Sequence, residues 1–360
     1  MLELDSYINL DADAIASPNL CELFSDADQK RIGEWVWECY DRDVSSREGW
    51  SMRMQAAMDL AMQVQEQKTF PWQGCSNVKF PIITIACLQF HARAYPAIVN
   101  GRSLVQCRTM GSDPDGSICA RASRISKFMS WQYLEQDESW EEQTDRSLLS
   151  TAIVGVGWKK SYYDPSCGHN VSNFVLAQDL VLDYYAKSVE TCPTKTHRIS
   201  LFRNEIYERC MRGIFCNILE ESWYKAAAEV TITPGQQRAD KRGGATPPQS
   251  NHNTPFMFLE QHCLLDLDGD GYAEPYIATI EESSRTLVRL TVRFEREEDI
   301  ERNAKGDIVR INATEYFTKI PLIASPDGSI MDIGFGTLLG PLNESVDSAI
   351  NQLFDAGTIS

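Results

Sequence analysis

The sequence predicts an α+β fold: helices come first, a mainly antiparallel sheet follows, and one stem-like helix ends the chain. Apolar residues recur with helical spacing up to about residue 154. Over residues 155–333, short runs of alternating apolar and polar residues are bounded by Gly and Asp turns, as in strands. Because helices and strands are segregated along the chain, α+β is favoured over a doubly wound parallel sheet. We therefore expect one α+β domain over residues 1–333 and the start of a stem helix over 334–360.

The first half is predicted to be helical. Ser25 and Asp28 have the spacing of a capping box, and Ile32, Val36 and Cys39 then lie on one helix face. This pattern predicts that the first long helix begins here. Later helices are predicted at about 48–67, 80–98, 117–136 and 139–153.

The second half is predicted to contain the sheet. Leu287–Phe294 alternates cleanly, with Val288 and Leu290 on one face and Arg289 and Thr291 on the other. Further strands are predicted at 156–163, within 174–185, at 256–267 and at 274–281. A helix is predicted at 204–214 and a hairpin turn at Lys305–Asp307.

Residues 233–254 are rich in Gly, Pro and polar groups, which predicts a flexible, exposed loop. Arg238, Lys241 and Arg242 make the centre of this loop basic. Two interpretations stay open for this cluster: a solvated surface, or a contact for nucleic acid or a neighbouring subunit.

The C-terminal segment predicts an amphipathic helix from Pro341 to Ala356. Proline suits the first helical position because it has no N–H, and Gly357 suits the position after the last turn. The apolar face, which is expected to pack, consists of Leu342, Val346, Ala349, Ile350, Leu353 and Phe354. The opposite, polar face consists of Glu344, Ser348, Asn351 and Asp355. Three glycines before the helix predict a flexible turn, and their spacing does not fit a dinucleotide-binding loop.

Composition restricts the function classes. The 360 residues carry a formal net charge of −17, which argues against general adhesion to nucleic acid but not against DNA passing along an acidic wall. The eleven cysteines include no Cys-x-x-Cys pair, so we expect reduced thiols and neither a disulfide framework nor a zinc site. The N-terminus lacks the pattern of a signal peptide, and the apolar run Phe80–Phe90 is too short to span a bilayer. We expect a protein of the reducing cytosol without membrane insertion.

An acidic motif lies between two predicted strands. Asp266, Asp268 and Asp270, followed by a glycine, have the spacing that opens a calcium-binding loop. An EF-hand requires a glutamate at position 12, where Ile277 stands, and the flanking residues are strand-like. Two interpretations stay open: a tight hairpin turn, for which Asp and Gly are the usual residues, and a looser calcium site completed by Glu274.

Signals for catalysis are few. The sequence has no phosphate-binding loop, no Gly-x-Ser-x-Gly elbow and no His-Glu-x-x-His motif. Asp179 and Asp183 lie four residues apart on a strand-like segment, hence on one face. We expect a non-enzymatic protein without a required cofactor. The alternatives are a calcium-stabilised binding module and a hydrolase that uses clustered carboxylates.

Several segments resemble the portal proteins of tailed bacteriophages. The most specific is the C-terminal block, Tyr316–Ser329 followed by Gly334–Ser360, which is similar to the passage from the wing domain into the first stem helix. Weaker similarities occur at Phe70–Ile82, Gly155–Asp164, Asp179–Ala186 and Asp266–Tyr276. The resemblance covers about residues 70–360.

The resemblance implies a subunit of a head-to-tail ring, usually a dodecamer, at one vertex of an icosahedral capsid. Such a ring conducts double-stranded DNA during genome packaging and ejection, and it makes and breaks no covalent bond. Its implied partners are the terminase large subunit and the scaffold, capsid and tail-adaptor proteins. The implied location is the virion, after assembly in the cytoplasm of the host bacterium. The polar face of the terminal helix would then line the channel or face solvent, and its apolar face would pack on neighbouring helices.

Portal proteins continue beyond this helix into a clip, a second stem helix, a tunnel loop and a crown. The 360 residues contain no counterpart of these parts. We therefore expect the chain to be a fragment or a truncated product, which puts terminase docking and close DNA contact at the tunnel loop in doubt.

Overall fold

The computed structural model describes residues 4, 5, 7, 12–64, 72–99, 104–165, 167–247, 249–304 and 308–359. Within these residues the fold is α+β, as predicted, with ten helices and ten strands. The helices are α1 (Ala12–Ala16), α2 (Asp26–Ser46), α3 (Glu48–Ala61), α4 (Ile82–Ile98), α5 (Ser117–Trp131), α6 (Trp140–Val154), α7 (Arg203–Met211), α8 (Ser222–Lys225), α9 (Pro234–Gly243) and α10 (Phe335–Ile359). The strands are β1 (Val156–Asp164), β2 (His169–Val175), β3 (Leu180–Leu182), β4 (Lys195–Leu201), β5 (Phe256–Leu265), β6 (Glu274–Glu281), β7 (Leu287–Val292), β8 (Ile300–Arg302), β9 (Ile308–Ile311) and β10 (Phe317–Pro321).

The chain divides into two compact units, each discontinuous in sequence. Unit 1 consists of Met1–Ser51 and Gln178–Glu315, and unit 2 consists of Met52–Ala177 and Tyr316–Ser360. Helix α10 belongs to unit 2, so the boundary predicted at residue 333 does not separate the two units.

Unit 1 is built on a five-stranded antiparallel sheet with the order β3-β4-β5-β6-β7. Successive side chains of a strand point to opposite faces, so neighbouring residues of β5 enter different apolar clusters. Leu259 packs in the cluster that contains Ile32 and Val36 of α2. Phe258 packs in a second cluster with Ile206 of α7. At the start of α2 the Ser25 hydroxyl accepts the N–H of Asp28 at 3.2 Å, which confirms the predicted cap.

Unit 2 combines helices with a three-stranded antiparallel sheet of order β10-β1-β2. Its helical core joins Ala57 of α3, Ile83 and Cys87 of α4, and Ala152 and Ile153 of α6. Phe335 and Leu339 of α10 pack against the same cluster. Helix α5 continues into a π-helical turn over Gln132–Gln136, within the predicted range of that helix.

The predicted ends of the terminal helix are wrong. Helix α10 begins at Phe335, so Pro341 lies inside it and not at its first position. The packing of Phe335 on the core explains this early start, since contacts of this kind outweigh the low helix propensity of Gly and Pro. Helix α10 also continues through Gly357 to Ile359, so this glycine does not end it.

Two predictions in the second half are also corrected. The predicted loop 233–254 contains α9, which begins after Thr233 because its hydroxyl accepts the N–H of Gln236 at 3.2 Å. The helix ends at Gly244, whose φ of +63° is the left-handed conformation that glycine adopts readily. The strand predicted within 174–185 is two short strands, the end of β2 and β3. The predicted turn Lys305–Asp307 lies outside the described residues.

Candidate functional site

Helix α10 is seated closely on the core of unit 2. A Cβ atom added to Gly336 would lie 2.4 Å from the Cβ of Ala57 and 2.8 Å from the carbonyl oxygen of Ile153. Only glycine permits this approach. The Phe335 and Phe90 rings make an edge-to-face contact with centroids 6.3 Å apart. These contacts fix the first turns of α10.

Beyond these turns, polar side chains of α10 bind the backbone of the extended segment 75–81. Asp347 Oδ1 accepts the N–H of Phe80 at 2.7 Å, and Asn351 Oδ1 accepts the N–H of Val78 at 2.7 Å. The Asn351 amide also donates to the Val78 carbonyl at 3.0 Å. Asn351 therefore binds both backbone groups of one residue, as a neighbouring strand would.

Two further side chains extend this row in both directions. Asp355 Oδ1 accepts the N–H of Ser76 at 2.8 Å, and Asn343 Oδ1 accepts the N–H of Ile83 at 3.4 Å. We call the row Asn343, Asp347, Asn351 and Asp355 the polar ladder.

The polar ladder is possible because the rise of four residues in a helix nearly equals the rise of two residues in an extended chain. Four helical residues advance about 6 Å, and two residues of an extended chain advance about 6.6 Å. From Asp347 onward, every fourth side chain of α10 therefore meets every second N–H of the segment, whereas Asn343 bonds Ile83 in the first turn of α4. None of residues 75–81 belongs to a strand, so the ladder satisfies N–H groups that no strand in the described part of the chain binds.

The predicted polar face of α10 is thus divided. Glu344 and Ser348 are exposed, in agreement with their predicted position. Asn351 is buried and Asp355 is half-buried, and both bind the backbone of their own unit. Sequence reasoning missed Asn343 and Asp347, although the repetition of Asn or Asp at every fourth position was a visible signal.

Another side of α10 is apolar and exposed. Leu338, Leu342, Ala349 and Leu353 fall within a sector of about 60° at 100° per residue, and we call them the apolar strip. Leu338 is 51% exposed, Leu342 53% and Leu353 74%.

The other residues of the predicted packing face occupy different environments. Val346 and Ile350 are half-buried, whereas Phe354 is exposed. Within its own chain, α10 therefore packs mainly through Phe335, Gly336 and Leu339 in its first turns and through the polar ladder, and only partly through the predicted apolar face.

Unit 2 exposes apolar side chains on other helices as well. An open groove of about 500 Å³ is lined by Phe335 of α10 and by Ala86 and Phe90 of α4. Exposed apolar residues on α4 and α5 include Ile85, Leu88, Ile98, Ile118, Ile125, Phe128 and Trp131. Exposed apolar surface of this extent is typical of interaction sites when it is contiguous.

The predicted basic cluster lies on α9. Lys241 and Arg242 are exposed, and both stand in the last turn of the helix, where cations are favourable. Arg238 is buried, so its predicted role as a surface contact does not fit its position.

The acidic motif forms the turn between β5 and β6. Asp266 closes the turn because its two oxygens accept the N–H groups of Gly269 at 2.8 Å and Gly271 at 3.1 Å. Asp268 accepts the N–H of Asp270 at 3.0 Å. These are the side-chain–backbone bonds that Asp makes in tight turns.

The same carboxylates converge with a fourth one from the start of β6. One oxygen each from Asp266, Asp268, Asp270 and Glu274 lie within 4.8 Å of one another. Glu274 is fully buried, and its Oε2 accepts the N–H of Leu267 at 3.4 Å. Burial, and then the nearby charge of Asp268, raise the pKa of Glu274 to about 8. The group can therefore hold a proton, or a cation that prefers oxygen ligands.

The predicted carboxylate pair occupies two separate environments. Burial raises the pKa of Asp179, and the charges of Arg198 and Arg47 oppose this shift. Asp183 instead lies 3.7 Å from Arg42, and its Oδ1 accepts the N–H of Tyr185. Each carboxylate therefore has its own cationic neighbour.

Comparison with known proteins adds no relative. No protein-family model matches the chain, and no curated protein matches it. Among the described residues, no helix is long and apolar enough to cross a membrane.

Proposed function

We propose that the chain is a non-catalytic structural subunit of a bacteriophage portal ring, which forms the DNA channel at the capsid vertex. The observation that carries the proposal is the two-sided character of α10. The polar ladder holds one side to its own unit, and the apolar strip is exposed on another side. A neighbouring copy of the chain is the proposed cover of this strip.

The apolar strip suits a contact that contributes little free energy between two subunits but stabilises an assembly in which it is repeated around a ring. Full burial of an exposed Leu contributes roughly 1.5–3 kcal/mol, so the three leucines, each exposed by half or more, contribute a few kcal/mol per contact. Head-to-tail contacts join two different surfaces of each subunit, and closure of the ring gives every subunit two contacts. A closed ring is thereby favoured over short open arrays.

Charge supports passage of DNA without adhesion. A chain with a formal net charge of −17 repels the phosphate backbone, and exposed Glu344 adds to this on α10. Exposed Lys241 and Arg242 are proposed as a local contact for nucleic acid or a neighbouring subunit.

The remaining parts of the proposal follow from the sequence resemblance. The ring is proposed to be a dodecamer that is assembled in the cytoplasm of the host bacterium and becomes part of the virion. Its proposed partners are the terminase large subunit and the scaffold, capsid and tail-adaptor proteins. Double-stranded DNA passes through the ring during packaging and ejection.

Electron microscopy of the purified chain tests the proposal. We expect annular particles with a central channel, and we expect Leu342→Lys to abolish them because it places a charge in the apolar strip. Ser348→Lys, on the exposed polar side of the same helix, is the matched control and leaves the rings intact. Single-copy particles at every protein concentration, with no difference between the two variants, would contradict the proposal.

A further inference from the structure

We infer that the β5–β6 hairpin is a calcium-binding site formed by Asp266, Asp268, Asp270 and Glu274. This site lies in unit 1, and it is independent of the ring proposed from unit 2. The inference depends on two observations, the convergence of the carboxylates and the state of Glu274.

The first observation is the closeness of the four carboxylates. Their ligand oxygens lie within 4.8 Å of one another, so the four groups repel one another strongly when all of them are ionised. A tight turn does not require this, because each Asp can bond the backbone without directing an oxygen at the others. A cation at the centre turns the repulsion into attraction.

The second observation is the buried Glu274 side chain. Glu274 is fully buried, and its Oε1 accepts no hydrogen bond from any N–H or hydroxyl group of the described residues. A buried carboxylate oxygen without a donor costs free energy. Glu274 stands on β6, opposite Leu265 of β5, and its Oε2 accepts the N–H of Leu267, so Oε1 is the oxygen that lacks a donor among the described residues. One oxygen of Glu274 lies within 4.8 Å of an oxygen of each aspartate, where a bound cation would be a partner for it.

The ligand types favour calcium over other cations. All four ligands are carboxylate oxygens, and neither Cys nor His belongs to the group, which disfavours zinc. Calcium accepts six to eight oxygen ligands in flexible geometry, whereas magnesium requires a near-octahedral arrangement and retains its water. The aspartates that accept backbone N–H bonds keep further lone pairs for a cation. Water can fill the remaining positions.

The binding test uses the full chain, freed of metal by a chelator and then titrated with calcium chloride alone. At roughly 100 times the dissociation constant, calcium should raise the midpoint of thermal unfolding by about 5 °C. Terbium should bind at the same place and emit light through the adjacent tyrosines Tyr272 and Tyr276. Calcium should displace the terbium and abolish this emission.

Variants separate a cation site from a turn. Asp270→Asn keeps a side-chain oxygen for the N–H of Tyr272, now bonded at 2.7 Å, but removes a charge. Glu274→Gln removes the buried charge at nearly constant volume. Both should weaken calcium binding about tenfold or more. Asp327→Asn is the matched control, because Asp327 also accepts a turn N–H, from Ser329 at 2.9 Å, without an acidic cluster.

Two results would overturn the inference. One is the absence of both a stability shift and terbium emission up to millimolar calcium, which would assign the group to a turn with a shared proton. The other is equal calcium affinity in Asp270→Asn, Asp327→Asn and the unchanged chain, which would place any bound calcium elsewhere.

Discussion

The side chain of Asp347 accepts the backbone N–H of Phe80 at 2.7 Å, although 267 residues separate them in the chain. Its second oxygen accepts the Asn343 amide at 3.3 Å and lies 3.9 Å from Lys79 Nζ. The contact ties the terminal helix to an extended segment that pairs with no strand of the described residues. It also orients α10, so that the apolar strip is turned away from the segment.

Asn351→Ala should destabilise unit 2. The change leaves both backbone groups of Val78 without their partner, which costs about 1–3 kcal/mol of the free energy of unfolding. Urea unfolding followed by circular dichroism measures the loss. Hydrogen exchange of the peptide that covers residues 75–81 should accelerate at the same time.

Ser348→Ala is the control for this prediction, because Ser348 is exposed on the same helix. It should change the free energy of unfolding by less than about 0.5 kcal/mol. Equal exchange rates at Val78 in the two variants would show that the polar ladder does not hold the segment.

Gly336→Ala and Gly340→Ala should have different effects. A Cβ at Gly336 meets the Ala57 Cβ at 2.4 Å, and overpacking of this kind costs about 1–3 kcal/mol. A Cβ at Gly340 meets no atom within 4 Å, so the higher helix propensity of Ala should leave stability unchanged or slightly raised. Thermal unfolding of both variants measures the difference, and equal losses would mean that α10 does not approach α3 so closely.

Lys159 should make stability depend on pH. Burial lowers the pKa of Lys159 from 10.5 to about 8, and the Asp137 charge opposes this shift only partly. Between pH 8 and 10.5 the unfolded chain therefore binds more protons than the folded chain, and the stability contributed at this site rises with pH. Below pH 8 Lys159 is charged in the folded chain as well, so the full free-energy cost of burying its ammonium group lowers the stability.

The stability of Lys159→Met relative to the unchanged chain should therefore fall as the pH rises from 8 to 10.5. Urea unfolding at several pH values measures this difference. The variant loses the bond from Nζ to the Thr144 hydroxyl at 2.7 Å, which is a constant offset over the range. Lys127→Met, at an exposed position, supplies the background trend. If the free energy of unfolding of Lys159→Met relative to the unchanged chain does not change between pH 8 and 10.5, the prediction is contradicted.

Much of the fold could be predicted from local periods. The strand predicted at 274–281 matches β6, the alternation of Leu287–Phe294 placed β7 within two residues, and the helix predicted at 80–98 begins within two residues of α4. Helix α9 was missed although its signals were present: Thr233 as N-cap, Pro234 at the first position and a glycine at the end. The low apolar content of this segment concealed these signals.

The candidate sites depended on contacts that no local pattern contains. The fourfold spacing of Asn and Asp in α10 was visible, but its partner is a segment distant in sequence. Glu274 was included in the predicted metal set, yet its burial follows from the position of β6 in the sheet. Local patterns show which residue types recur at a regular spacing, whereas the contacts of those residues depend on tertiary packing.

Sedimentation velocity tests the central claim, that copies of the chain associate through the apolar strip of α10. We predict a discrete species of about twelve copies of the 40.7 kDa chain, in exchange with smaller species as the protein is diluted. Leu342→Lys combined with Leu353→Lys should reduce it to single chains, whereas Glu344→Lys, on another side of the helix, should not. A single 40.7 kDa species at every concentration, unaffected by these substitutions, would contradict the claim.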